Sequence, residues 1–189
     1  MSNDNRIRII GGRHRGRKLS FPDAPGLRPT SDRIRETLFN WLQTTLPGAR
    51  CLDLFAGSGA LGLEAASRGA GRVVLVERSR AVAERLLENG RLLGLEDLEV
   101  VQAEALRWLA ATHQRFDVVF LDPPFADHLL ERACTELVVA GRLAPGALVY
   151  LESDAAEGLP ALPAALELIR HKQAGQVAFG LARLRDASP

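Results

Sequence analysis

From residue 50 to residue 151 the chain repeats one pattern: a short apolar run rich in β-branched residues, then a longer stretch with apolar residues three and four apart. The spacing predicts strands over 51–55, 72–77, 98–102, 116–122 and 147–151, and helices over 61–68, 80–93, 105–111 and 129–139. Strands joined through helices pair in parallel, and the helices then cover both faces of the sheet. Two later runs, 166–171 and 177–183, read as a closing pair around Ala174-Gly175, so seven strands are expected in all. The pattern is that of an α/β, Rossmann-like, doubly wound and mostly parallel sheet. Such sheets bind ligands beyond the carboxyl ends of their strands. At 189 residues the chain is one ordinary domain with room for a small appendage.

The appendage is expected at the N-terminus. Arg6-Ile7-Arg8-Ile9-Ile10 alternates, Gly11-Gly12 breaks it, and Arg13-His14-Arg15-Gly16-Arg17-Lys18 follows before Leu19-Ser20-Phe21. This reads as a two-stranded ribbon carrying a basic, glycine-containing loop. The first 35 residues hold nine Arg and Lys against three Asp, whereas the whole chain has a net charge of only +1. That asymmetry points to a polyanionic partner met through the arm. Arg13, Arg15, Arg17 and Lys18 are its candidate contacts, because arginine bonds phosphate bidentately and stacks on bases. A solvated tail would share this composition. The expected division is an arm over 1–30, the main domain over 31–185 and a tail over 186–189. A helix starts at Thr30-Ser31-Asp32, with Ile34, Leu38, Trp41 and Leu42 on one face and Pro47-Gly48 after it.

Two stretches carry chemistry. In the first, Val118-Val119-Phe120-Leu121 runs into Asp122-Pro123-Pro124-Phe125. Prolines donate no N–H to a ladder, so the strand stops and presents Asp122 at the ligand-binding rim. A strand ending in a proline turn would look the same. In the second, Asp53-Leu54-Phe55-Ala56 leads into Gly57-Ser58-Gly59-Ala60-Leu61-Gly62, with Glu77 at the end of the next strand. This glycine fingerprint admits NAD, FAD or S-adenosylmethionine. Asp53 separates them: a carboxylate before the loop repels a pyrophosphate and attracts the ammonium of a methionine. A plain loop or cap aspartate could occupy the same position. No His, Cys, Asp or Glu spacing suggests a metal, and Cys51 and Cys134 sit in apolar surroundings as packing residues.

These motifs resemble the class I S-adenosylmethionine-dependent methyltransferases that act on exocyclic amines of nucleobases. With Arg28-Pro29-Thr30-Ser31-Asp32-Arg33-Ile34-Arg35-Glu36-Thr37-Leu38-Phe39-Asn40-Trp41-Leu42, Ile10-Gly11-Gly12 and the basic arm added, the chain is similar to one narrower family, the bacterial small-subunit (16S) ribosomal RNA guanine-N2 methyltransferases. The resemblance runs from Arg6 to Glu152. It implies that Asp53, Phe55, Gly57 and Gly59 line the methionine and ribose of S-adenosylmethionine. Glu77 would take the ribose hydroxyls, and Glu104-Ala105 would hold the adenine through the N–H of Ala105. Many relatives carry Asp or Asn where this chain has Glu104, which leaves that side chain's role open. Thr30 and Asp32 are implied neighbours of the cofactor or of the Pro-Pro loop. Asp122 and the Pro123 carbonyl would grip the target amine and Phe125 would stack on the base, with Pro124 of the same motif a further catalytic-site candidate. The implied partner is small-subunit ribosomal RNA in the assembled or assembling subunit. No apolar leader or membrane span is read in the sequence, so a cytoplasmic location is expected, and a monomer is the default expectation. Other readings are a DNA adenine-N6 or cytosine-N4 methyltransferase, for which 189 residues leave no separate target-recognition domain, a non-catalytic RNA-binding assembly protein, and a nicotinamide-dependent dehydrogenase.

Overall fold

The computed structural model describes residues 5–124 and 128–186. An antiparallel ribbon of β1 (Asn5–Arg8) and β2 (Lys18–Phe21) precedes helix α1 (Asp32–Trp41). The alternating part follows as β3 (Arg50–Asp53), α2 (Gly62–Ser67), β4 (Arg72–Glu77), α3 (Arg80–Leu92), β5 (Leu98–Gln102), α4 (Ala105–Ala111), β6 (Phe116–Leu121) and α5 (Leu129–Val139). Strands β7 (Leu143–Asp154), β8 (Leu166–Ala174) and β9 (Val177–Leu184) complete the chain. The main sheet has seven strands in the order β5-β4-β3-β6-β7-β9-β8. Strands β3 to β7 pair in parallel, and β9 pairs antiparallel with both β7 and β8. From β3 the chain winds outward through β4 to β5, then returns to lay β6 on the other side of β3. The winding reverses between β3 and β6, and that reversal is where a doubly wound sheet opens its crevice.

Period-two alternation sends the strand side chains into two cores. Cys51, Val73, Leu75, Val118, Phe120 and Tyr150 face the layer that holds α1, α2, α3 and the ribbon. Leu52, Val74, Val76, Val119, Leu121 and Leu151 face α4 and α5. Phe120 lies 5.8 Å from Phe39 and 6.5 Å from Tyr150 between ring centroids, which seats α1 on the centre of the sheet. Trp41 is half-buried, stacked 5.6 Å from Phe179. Cys51 and Cys134 are buried in opposite layers, and burial pushes both thiols up to about 12. Neither is a nucleophile near neutral pH.

Several element bounds differ from those read in the sequence, among them the ends of β7 and β8, which run three residues further than expected, to Asp154 and Ala174. Strand β3 ends at Asp53 and leaves Phe55 in the loop. Strand β7 begins at Leu143, four residues ahead of the expected start, because Pro145-Gly146 reads as a break. The ladder takes these residues in as an irregularity: Phe116 pairs with Leu143 and Val118 with Leu148, and Gly146 has a φ of 69°.

The ribbon is lashed to the sheet layer through buried charge. Glu64 of α2 is wholly buried, and its carboxylate accepts the N–H groups of Ile10 (2.9 Å) and Gly11 (2.8 Å). It also accepts from Arg35 Nη1 (3.2 Å) and Arg68 Nε (2.7 Å). Arg35, 1% exposed, donates onward to the carbonyls of Arg8 (2.9 Å) and Thr30 (3.2 Å) and to Asp32 (2.6 Å). At the far end of α2 the Ser67 carbonyl takes the Arg13 N–H (2.8 Å), satisfying one of the helix's orphan acceptors. The backbone approaches so closely that a Cβ on Gly12, whose φ is +76°, would collide with that carbonyl. Ile7, Ile9, Leu19 and Phe21 are buried in the same core layer as α1.

Candidate active site

Neighbouring strands bring acids to one rim of the sheet. In the order β5-β4-β3-β6-β7, the carboxyl ends carry Glu104, Glu77, Asp53, Asp122 and Glu152. The register fixes their neighbours. Asp53 pairs with Phe120, two residues before Asp122, and Leu121 pairs with Leu151, so Asp122 and Glu152 follow side by side. An acidic rim suits a cationic or hydrogen-donating ligand and repels a pyrophosphate.

Asp53 is 1% exposed. Its Oδ2 accepts the N–H of Gly62 (2.9 Å), so it also caps α2. Gly62 has to be glycine here, since a Cβ would strike Leu75 and crowd the carboxylate. Among the described residues Asp53 Oδ1 is the one buried side-chain polar atom with no hydrogen-bond partner. Burial, and then the charge of Glu77, push the Asp53 carboxyl up to about 7 against the opposing pull of the Gly62 N–H. An ammonium placed at Oδ1 would satisfy the orphan and restore the charged form. The donor set on this side of the rim therefore fits the methionine end of S-adenosylmethionine.

The glycine loop crosses from β3 to α2 with Gly57 at φ +52° and Gly59 at φ +80°. A Cβ on Gly59 would run into Leu86 and Leu63. Glu77, half-buried, takes the N–H of Gly57 (3.0 Å) on Oε2 and that of Ser79 (2.7 Å) on Oε1. These bonds fix the carboxylate plane, and a carboxylate has about four acceptor positions, so room for a diol remains. Phe55 sits half-buried beside the loop, packed on the α4/α5 layer. Glu104 is the N-cap of α4: its carboxylate takes the N–H groups of Leu106 (3.1 Å) and Arg107 (2.9 Å). The side chain thus has a structural use, and Ala105 is buried at the first helical position, directly after Glu104.

Thr30 and Asp32 part company. Thr30 is buried, and its hydroxyl oxygen lies 3.2 Å from Asp122 Oδ2 and 3.1 Å from Glu152 Oε2. Asp32 is held by Arg35 (2.6 Å) and Arg8 (3.1 Å), which keep its carboxyl below the usual range despite some burial. It locks helix to arm. Pro123 is buried and Pro124 exposed, and Phe125 lies outside the described residues. Asp122 is half-buried. Burial first, then Glu152 and Asp53, raise its carboxyl well above the ordinary value against the Thr30 hydroxyl. Arg13, Arg15, Arg17 and Lys18 are all exposed on the loop and the start of β2.

Sequence reading missed Glu152, Tyr150, Arg35 and Glu64 as members of this architecture. The Tyr150 hydroxyl donates to Glu152 Oε2 at 2.8 Å, and both residues are buried. The available signal was an acid closing an otherwise apolar run, Leu148-Val149-Tyr150-Leu151-Glu152, the same signature that drew attention to Asp122.

Comparison with known proteins fits this arrangement. Residues 7–183 match the family described as conserved hypothetical protein 95. The chain is 52% identical over 180 residues to ribosomal RNA small subunit methyltransferase D of Escherichia coli K12, covering 95% of this chain and 91% of that one. It is 43% identical to the protein of the same name from Haemophilus influenzae, covering 93% and 92%. Among solved structures, the methyltransferase yhhF of Escherichia coli superposes with a TM-score of 0.90 at 48% identity, covering 96% of this chain and 99% of that one. A Thermus thermophilus 16S rRNA N2 methyltransferase, solved in complex with AdoMet and guanosine, superposes with a TM-score of 0.68 at 25% identity, covering 97% and 50%. With matches of this identity spanning nearly the whole of both chains, the protein belongs to the conserved hypothetical protein 95 family, that of the ribosomal RNA small subunit methyltransferases D.

Proposed function

We propose that the protein transfers the methyl group of S-adenosylmethionine to the exocyclic N2 amine of a guanine in small-subunit ribosomal RNA. Family membership supplies the coarser part, S-adenosylmethionine-dependent methylation of small-subunit ribosomal RNA. The finer part rests on one observation: the Asp122 carboxylate stands at the strand-order reversal, beside the rim position where Asp53 keeps an unpartnered oxygen. The relative solved with AdoMet and guanosine supports the choice of base.

In this reading Asp53 Oδ1 takes the methionine ammonium, Gly57 and Gly59 admit the ligand against the backbone, Glu77 takes the ribose hydroxyls and the Ala105 N–H meets the adenine. When bound, the sulfonium supplies an activated methyl group. The residues of the protein do the rest. A guanine N2 lone pair is delocalised into the ring and is a poor nucleophile. Two acceptors, the Asp122 carboxylate and the Pro123 carbonyl, draw its N–H bonds out of the ring plane and aim the lone pair. Catalysis is then mostly orientation and electrostatics. The base leaves its stack to reach the rim, and the Phe125 ring replaces part of the stacking. The arm holds the RNA of the assembled or assembling subunit.

Labelled methyl transfer to unmethylated small-subunit particles, with nucleoside separation, tests the reading. Label in N2-methylguanosine is the expected result; label in N6-methyladenosine or N4-methylcytosine overturns the base assignment.

Two further results follow. Since the Asp53 carboxyl sits at about 7 without ligand, binding an ammonium there expels its proton. Affinity for S-adenosylmethionine therefore climbs as pH rises towards 7, by up to about tenfold per unit, and levels until the ammonium itself titrates near ~8. Calorimetry in two buffers of different ionisation enthalpy reads the released proton, and Asp53→Asn abolishes both the release and the slope. The same raised carboxyl makes the ligand-free fold lose stability as pH rises from the ordinary 3.8 through about 7. Second, replacing Arg13, Arg15 and Arg17 together weakens RNA binding and flattens its salt dependence by about 0.7 per lost phosphate contact on single strands, ~2 for three. An unchanged slope assigns the arm another role.

A further inference from the structure

We propose that Glu152, acting through the Thr30 hydroxyl, is the positioning residue that lets Asp122 receive the proton released when the target amine is methylated. This rests on the reading of Asp122 given above. The geometry carries it. Thr30 Oγ1 stands 3.2 Å from Asp122 Oδ2 and 3.1 Å from Glu152 Oε2, and Tyr150 gives its hydroxyl proton to the same Glu152 oxygen at 2.8 Å. A threonine hydroxyl has a single proton and can donate to only one of the two carboxyls. The other close contact is attractive only if that carboxyl bears a proton and donates it to Thr30 Oγ1. The three side chains therefore form a chain that holds one proton between two acids, as closely spaced carboxyls do when both cannot ionise.

The groups facing the pair complete the picture. Asp53 on β3 adds negative charge, Tyr150 on β7 and Thr30 ahead of α1 add hydroxyl protons, and Arg35 does not reach the acids because it is spent on the Thr30 carbonyl, Glu64, Asp32 and Arg8. Burial of both acids pushes their titration upward in the same direction. Glu152 is 5% exposed and Asp122 only half-buried, so the pair meets substrate and solvent through Asp122.

The chain has two forms. In one, Asp122 holds the proton and donates to Thr30 Oγ1, which donates to ionised Glu152. In the other, both protons have shifted along it, Glu152 is neutral and Asp122 is a carboxylate. An approaching amine, offering an N–H to Asp122, selects the second form. Once the nitrogen lone pair has formed its bond to the methyl carbon, the carbon–sulfur bond of the donor breaking with its electron pair left on sulfur, the nitrogen bears one proton too many. That N–H bond breaks, its electron pair returns to nitrogen, and an O–H bond forms on Asp122. The pair is then neutral with two protons and returns one to solvent through Asp122. No further reactant is needed.

The test uses the full chain with Glu152→Gln, Thr30→Val and Thr30→Ser, each checked for wild-type S-adenosylmethionine affinity and melting temperature. Glu152→Gln and Thr30→Val are expected to lower kcat by about 10²-fold with KM for the particles nearly kept, the size of a general acid–base contribution. Thr30→Ser is expected to restore most of it. Carboxyl ¹³C NMR is the readout that a packing role leaves unmoved. The wild type keeps one proton on the Asp122/Glu152 pair at pH 7 and titrates in two separated steps, and Glu152→Gln leaves one step. If Glu152→Gln turns over like wild type, or both carboxyls are ionised at pH 7, the proposal is wrong. Asp122→Ala distinguishes its failure from that of the underlying reading: an inactive Asp122→Ala beside a fully active Glu152→Gln removes only this inference, whereas a fully active Asp122→Ala removes both.

Discussion

Asp122→Ala lowers the turnover of methyl transfer by about 10²–10³-fold, the loss expected for one oriented contact that strengthens in the transition state. The substitution leaves Asp53, the glycine loop and Glu77 in place, so S-adenosylmethionine affinity stays within about twofold. The separation of the two effects follows from the sheet order. Asp53 and Asp122 end adjacent strands, but only Asp53 is buried against the loop that opens α2, whereas Asp122 meets Thr30 and Glu152 on the opposite side. Single-turnover kinetics and equilibrium binding on the same preparation check it. An equal loss in both measurements moves Asp122 into the cofactor site and ends the assignment.

Glu64→Ala destabilises the fold by about 3–5 kcal/mol, the cost of stripping one partner from a buried ion pair. Arg35, 1% exposed, loses its buried counter-charge and keeps only the half-exposed Asp32, and the N–H groups of Ile10 and Gly11 lose their acceptor. For a chain of this size each kcal/mol lowers Tm by about 2–4 °C, so a fall of roughly 10 °C is expected. Amide exchange at Ile10 and Gly11 accelerates with it. The double replacement Glu64→Leu with Arg35→Met recovers part of the loss, because well-packed apolar groups remove both buried charges together. A loss below about 1 kcal/mol in Glu64→Ala contradicts the lash.

The sheet was legible because its information is local. Each strand between residues 50 and 151 is an apolar run with a breaker after it, and seven strands form where seven were expected. Asp53 and Asp122 were legible for the same reason: each closes such a run ahead of glycine or proline. Strand β7 was misjudged at its start because Pro145-Gly146 carries a turn's chemistry inside a bulge. The rest needed register. Glu152 meets Asp122 only because β7 lies beside β6 in a set alignment, and Thr30 reaches Glu152 across 122 residues of sequence. Nothing local in the sequence says that α1, α2 and the ribbon close over Arg35 and Glu64. Asp32 sits three residues before Arg35, one helical turn away, and the two pair.

In the proposed function one rim of the sheet holds a methionine ammonium at Asp53 and a guanine amine at Asp122. A crystal structure of the protein with S-adenosylhomocysteine and guanosine tests it most directly. The ammonium is expected within hydrogen-bond distance, about 2.7–3.2 Å, of Asp53 Oδ1, and the guanine N2 equally close to the Asp122 carboxylate. A guanine bound with N2 turned away from Asp122, or an ammonium that leaves Asp53 Oδ1 unpartnered, contradicts it.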